Sequence, residues 1–287
     1  MRWKWHAAAV LFALVLMTGA AIAMPGPEDG ARNARPALAA RTVTPAADEP
    51  PAPEPTVEED ATPPGPTPSV SVGRANRGRL IDGVRLEESD RVRFKNGSPE
   101  HTRFGTVELV GMLERGALHV SRVLPGAKLT VGDLSRRGGG WLRPHRSHRS
   151  GRDVDIAFYS IDAEGVPLEP ITLVPYRADG TGRGTHGEGT VFDADRNWEL
   201  VAAMLEDPQA SVQYIFVSRR LRSVLLEAGE RRNASPELLE RASIALEQPR
   251  RGGRHDDHFH VRIYCPEDDL PRCRDTPPWR PWYSGER

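Results

Sequence analysis

Apolar residues fall into three regimes along the chain. Residues 7–23 are almost continuously apolar, and residues 25–72 carry almost no aromatic or large aliphatic side chain. From Gly73 onward, short apolar runs alternate with polar and turn residues, as a folded domain requires. Residues 153–159 alternate strictly, with Val154, Ile156 and Phe158 on one face and Asp153 and Asp155 on the other, which predicts a strand. Residues 258–264 repeat that pattern, setting His258, His260, Arg262 and Tyr264 against Phe259, Val261 and Ile263. A short strand is expected at 212–217, and a hairpin at 118–134 around Pro125-Gly126-Ala127. Helices are expected at 193–205 behind an Asp193 cap, at 219–228 stopped by Gly229, and at 235–246. The last has a Ser235 cap, Pro236 at the first position and Glu237 in the first turn. Five glycines between 180 and 189 predict a mobile loop rather than a core element. Strands and helices do not alternate as regular βαβ units, so the expected class is α+β: a central antiparallel sheet carrying the site, flanked by helices.

The first two regimes set the domain organisation. Basic Arg2 and Lys4, the apolar run and the small residues Ala21-Ile22-Ala23 read as a signal peptide over residues 1–23, with an uncleaved anchor as the alternative. No cysteine near that point suggests a lipoprotein. Residues 24–72 read as a disordered Pro-rich linker, either a spacer or low-complexity filler. Residues 73–287 read as one domain. The formal net charge of −1 is uninformative, because the acidic linker leaves the rest slightly basic; the lack of a long Lys/Arg block is what argues against nucleic acid as a partner. The only cysteines, Cys265 and Cys273, read as a disulfide in a secreted chain, with two further zinc ligands as the alternative.

Five of the nine histidines sit in two strings: His145-Arg-Ser-His148-Arg-Ser-Gly-Arg-Asp153-Val-Asp155 and His255-Asp-Asp-His258-Phe-His260. Imidazoles and carboxylates are the ligands of catalytic zinc sites, where three protein groups leave a fourth position for water. Strand alternation turns His258 and His260 to one side and Asp153 and Asp155 likewise, so neighbouring antiparallel strands can place His260, Asp155 and His148 around one Zn²⁺. Asp153, Asp256 and Asp257 are candidates to hold ring nitrogens, though Asp153 could equally serve the backbone. Ser147 reads as a cap or packing residue, Trp141 as either cleft or core, and Trp279 and Trp282 as packing. His6, His101, His119 and His186 read as structural.

The longer string His145-x-Ser147-His148-x-x-Gly151-x-Asp153-Val154-Asp155-Ile156 resembles the penicillin-insensitive murein endopeptidases. So do Asn197-Trp198 and His255-Asp-x-His258-Phe259-His260-Val261-Arg262. These enzymes belong to the metallopeptidase superfamily of D-Ala-D-Ala carboxypeptidases, dipeptidases and hedgehog amino-terminal domains. The resemblance implies that His148, Asp155 and His260 are the zinc ligands. It implies that His258 is the base or transition-state stabiliser, and that His255 and His145 also belong to the site. The bet between His258 and His255 as base falls on His258.

The resemblance implies hydrolysis of D-alanyl–meso-diaminopimelate cross-links in peptidoglycan, and the signal peptide implies a periplasmic or otherwise secreted location. The chain has only Lys4, Lys95 and Lys128, preceded three positions earlier by Met1, Val92 and Pro125, so the Ser-x-x-Lys motif of penicillin-binding serine enzymes is absent. β-Lactam insensitivity is the expectation. Two alternatives keep the metal: a D,D- or L,D-carboxypeptidase or dipeptidase, and a non-catalytic zinc-stabilised wall-binding module. Arg136, Arg137, Arg143, Arg146, Arg149 and Arg152 crowd the first string, either to meet stem-peptide carboxylates or as a solvated face.

Overall fold

The computed structural model describes residues 68–249 and 252–285. The signal-peptide segment and nearly all of the linker lie outside the described residues. Regular structure starts at β1 (Val70–Arg74), three residues ahead of the Gly73 boundary read from composition, and continues through β2 (Arg77–Ile81), β3 (Val84–Arg85), β4 (Val92–Phe94) and β5 (Phe104–Gly105). Helix α1 (Val107–Val123) leads to β6 (Leu129–Val131), β7 (Asp153–Ala157), β8 (Ser160–Ile161), β9 (Pro167–Leu168) and β10 (Val191–Phe192). Then come α2 (Ala194–Leu205), β11 (Val212–Phe216), α3 (Arg219–Arg231), α4 (Pro236–Ala245), β12 (Leu246–Glu247) and β13 (His258–Ile263).

The principal sheet has six strands in the order β12-β11-β13-β7-β6-β4. Its centre is antiparallel: β11, β13, β7 and β6 pair in succession with alternating direction. Its two edges are parallel, β11 with β12 and β4 with β6, so the sheet is mixed within the expected α+β class. Phe259, Val261, Val154 and Ile156 on the inner face are fully buried in the core with α1 and α2 residues such as Leu113, Val120 and Trp198. This burial of alternate residues fixes the register, because a slip of one would move the histidines into the core.

Two expected elements differ. The hairpin at 118–134 is instead the last turns of α1 followed by the short strand β6. Residues 118–124 belong to a longer stripe at helical spacing, Leu109, Val110, Leu113, Ala117 and Val120, all buried, and Pro125 forces the chain out of the helix. Gly229 does not stop α3, which runs on to Arg231. It is glycine for packing: a Cβ there would come within 2.6 Å of the Trp198 ring. The glycine-rich segment is closed by its own backbone bonds, including Gly182 N–H to Thr190 O at 2.8 Å and Gly187 N–H to Gly184 O at 3.0 Å.

The carboxy-terminal segment is stapled to the start of the domain. Cys265 and Cys273 form a disulfide, which settles the cysteine reading. Gly73 N–H donates to Arg272 O, Arg274 N–H donates to Gly73 O, and Ser71 N–H donates to Asp269 Oδ2 at 2.7 Å. Arg152, in the first string, is not a substrate arginine. It is buried in an ion pair with Asp275 at 2.7 Å and also donates to Ile263 O. Trp282 donates from Nε1 to Val212 O, and Trp279 packs on Tyr283, as packing residues would.

Candidate metal centre

Two adjacent strands and two loops build the site. The β13–β7 register sets His260 opposite Asp155, His258 opposite Ala157 and Arg262 opposite Asp153. Opposed side chains in an antiparallel pair stand close enough to touch. The loop before β7 brings His145 and His148 over the outer face of the same strands. His148 takes a left-handed backbone, φ 62°, stabilised by the ring's Nδ1 contact with Leu134 O at 2.6 Å. His255 also has a positive φ, 50°, and lies on the loop entering β13.

Three atoms converge. His260 Nδ1 lies 2.9 Å from Asp155 Oδ1 and 3.2 Å from His148 Nε2, and His148 Nε2 lies 3.4 Å from Asp155 Oδ1. Each imidazole is held from its far side. His148 Nδ1 faces Leu134 O, and His260 Nε2 faces Asp153 Oδ1 at 3.1 Å. An N–H directed at each of those outer oxygens leaves the inner nitrogens as lone pairs. Two lone pairs and a carboxylate oxygen then point into one buried space, an arrangement that a cation satisfies.

His145, His148 and Asp155 also offer ligand atoms that all lie within 4.8 Å of one another, a group that could hold a metal ion. His145 approaches the other carboxylate oxygen, with Nδ1 3.5 Å from Asp155 Oδ2, and its Nε2 is engaged by Asp133 at 2.9 Å. His258 Nε2 points at the cluster from 3.6 Å, while its Nδ1 is paired with Asp257 Oδ1 at 2.6 Å. The rings of His255 and His258 are 5.1 Å apart, and His255 Nδ1 donates to Gly253 O.

Charge follows from these contacts. Burial would raise the Asp155 carboxyl, but His148, His260 and His258 outweigh it and hold the group well below the usual carboxylate range. Burial likewise works against Asp153, and Arg262, with Nη2 at 2.6 Å, together with His260 keeps it ionised. Burial lowers His258, but its pairing with Asp257 and the nearby Asp155 raise it above the ordinary imidazole value. His255 has no such partner; burial and the neighbouring imidazoles push it down to about 4.

His145, His148, Asp155, His255, His258 and His260 are brought together here. Asp153 and Asp257 touch ring nitrogens as expected, whereas Asp256 turns away and pairs with Arg183 and Arg254. Sequence reasoning missed Asp133, the Leu134 carbonyl, and an aromatic floor of Tyr214 and Phe216. These two rings stack on each other 4.0 Å apart and lie 6.1 and 5.6 Å from the His260 ring. Their signal was present in the alternation of Val212-Gln213-Tyr214-Ile215-Phe216, but only the pairing of Phe216 with His260 shows that this face belongs to the site. Trp141 is exposed, with the Arg149 guanidinium 4.2 Å above its ring.

Comparison with known proteins identifies the family. The penicillin-insensitive murein endopeptidases from Escherichia coli strain K12 / DH10B and Shigella boydii serotype 18 are each 27% identical to this chain over 219 residues, covering 75% of it and 73% of theirs. That of Escherichia coli O157:H7 is 28% identical over the same shares. The sequence pattern of the family described as penicillin-insensitive murein endopeptidase matches residues 71–282, and the chain belongs to that family.

Proposed function

We propose that this chain is a zinc-dependent, β-lactam-insensitive endopeptidase that hydrolyses D-alanyl–meso-diaminopimelate cross-links of peptidoglycan, acting in the periplasm or outside the cell after removal of residues 1–23. Residues 24–72 serve as the linker and the remainder as the catalytic domain. The observation that carries the reading is the convergence of His148 Nε2, Asp155 Oδ1 and His260 Nδ1 with their far sides engaged. Ligand atoms bound at about 2.0–2.2 Å to one tetrahedral ion stand roughly 3.3–3.5 Å apart. The separation of His148 Nε2 from Asp155 Oδ1, 3.4 Å, matches that spacing, and the two to His260 Nδ1, 2.9 and 3.2 Å, are shorter, so a bound ion would spread the three atoms by a few tenths of an ångström. His145 is assigned a supporting role, because its Nε2 is committed to Asp133 and its Nδ1 faces the second Asp155 oxygen.

When bound, zinc supplies Lewis acidity, polarising a peptide carbonyl and lowering the pKa of water toward about 7. His258 Nε2 is the proton acceptor. Its Nδ1–H is directed to Asp257, which fixes the tautomer and strengthens the base. The same atom returns the proton to the leaving amine. His255, held near 4, is a weak base and stays neutral, so its part is to hydrogen-bond. The aromatic floor keeps the His260 ring in plane and water away from it.

Digestion of purified sacculi by the wild type and His260→Ala, each with and without a chelator, tests the reading. Expected is loss of cross-linked muropeptide dimers without shortening of monomer stems, abolished by the chelator and by the substitution. Shortened monomer stems would point to carboxypeptidase action, and undiminished activity of the variant would remove the metal assignment.

A further inference from the structure

The segment carrying His255 also borders a cleft of about 640 Å³. Its walls hold five arginines, Arg177, Arg183, Arg219, Arg220 and Arg254, against two carboxylates, Asp179 and Asp256, a formal excess of three positive charges. The cleft is tied to the metal centre through backbone. Ser218 N–H donates to His255 O at 2.8 Å, and Tyr176 N–H donates to Asp256 O at 2.7 Å.

Both carboxylates are already engaged. Asp256 takes Arg183 at 2.5 Å and Arg254 at 3.1 Å, and Asp179 accepts from Thr181 N–H and Oγ1. Arg177 donates to Gly182 O. Among the described residues, the guanidinium groups of Arg219 and Arg220 have no hydrogen bond or ion pair, and Arg183 Nε is buried without a partner. Guanidinium groups gathered without matching carboxylates favour bidentate capture of a planar oxyanion. The cleft has the volume of a small-ligand site rather than of an extended polymer groove.

We propose that this arginine cleft is a subsite for a free carboxylate of the stem peptide, set beside the scissile bond and read chiefly by Arg219 and Arg220. The choice of peptide as ligand rests on the endopeptidase reading above. The cleft would select stems whose carboxylates are free over stems in which they are amidated.

Calorimetric titration of the full chain tests this without requiring cleavage. The probes are the tripeptide L-Ala–γ-D-Glu–meso-diaminopimelate and its carboxylate-amidated counterpart, neither of which contains the cross-link bond. Lost charge-assisted hydrogen bonds set the scale of the effect. The wild type should bind the free acid at least about 10-fold more tightly. The double variant Arg219→Ala/Arg220→Ala should lose about 10- to 100-fold for the free acid and nothing for the amidated peptide. Both side chains are exposed, so zinc content and melting temperature should be unchanged. Equal binding of the two peptides by the wild type, equal loss for both in the variant, or no loss at all would overturn the subsite. So would a glycerol phosphate polymer that displaces the free acid at lower concentration than the peptide binds. A wild type that discriminates the tripeptides but never cuts sacculi would leave the subsite standing and remove the endopeptidase reading; cutting without discrimination would do the reverse.

Discussion

His260 and Asp155 meet at 2.9 Å because strand register sets them directly opposite each other on β13 and β7. The same register brings Asp153, two residues away on β7, to the far side of the His260 ring. One pair of strands therefore supplies a proposed ligand, its neighbour in the coordination shell and the group that orients it.

Asp153→Asn should weaken zinc binding about 10- to 100-fold, the usual consequence of removing a carboxylate that holds a ligating histidine. Asp153 also receives Nε and Nη2 of the largely buried Arg262, so the variant should melt at a lower temperature as well. Competition with a chromophoric chelator measures the affinity. An unchanged value would show that the contact at His260 Nε2 does not tune the ligand.

His258→Ala should lower kcat about 100- to 10,000-fold, the range of a general base. Zinc content should be retained, since His258 is not one of the three proposed ligands and its ring is held by Asp257 through Nδ1. Asp257→Asn should give a smaller loss through the same ring. Steady-state kinetics on a purified cross-linked dimer checks both. Loss of metal together with activity in His258→Ala would make it a ligand instead.

Gly229→Ala should destabilise the domain although alanine favours a helix by about 1 kcal/mol. The added Cβ would meet the Trp198 ring at 2.6–2.7 Å, and that ring is only 2% exposed and has nowhere to move. Overpacking of this kind costs about 1–3 kcal/mol. Denaturant unfolding decides, and a stabilised variant would show that Trp198 yields.

Among the described residues Asp269 is the one carboxyl pushed up, to about 6, by burial and by Glu108 and Asp268, against the Ser71 N–H that it accepts. A folded-state value above the unfolded 3.8 means that the native state binds the extra proton. Its contribution is full below pH 3.8 and is lost as pH rises through about 6. Relative to Asp269→Asn, the wild type should therefore lose stability between about pH 4 and pH 7. Melting curves of both proteins across that window measure it, and parallel curves would contradict the assignment.

Much of the site was legible in the sequence because period-two alternation is local. Phe259 and Val154 could be sent to the core, and His260 and Asp155 to the opposite face, from spacing alone. The partners of the imidazoles were legible where they lay inside the two strings, as Asp257 beside His258 and Asp153 on the face of Asp155 do. Asp133, Tyr214 and Phe216 reach the site through strand order, which no local pattern carries. The missed part of α1 has a related cause: residues 118–124 alternate over a short window, and the helical stripe appears only when Leu109 to Ala117 are read with them. Gly229 reads as a stop in sequence because its reason, the Trp198 ring, lies on another helix.

The most direct test of the metal centre is zinc stoichiometry at equilibrium for the wild type and for His145→Ala, His148→Ala, Asp155→Ala and His260→Ala, with circular dichroism as the control for folding. The wild type and His145→Ala should each bind one zinc per folded chain, and the other three should bind none at the same free zinc concentration. A folded His260→Ala that keeps its zinc while His145→Ala loses it would contradict the assignment and move the centre to His145, His148 and Asp155.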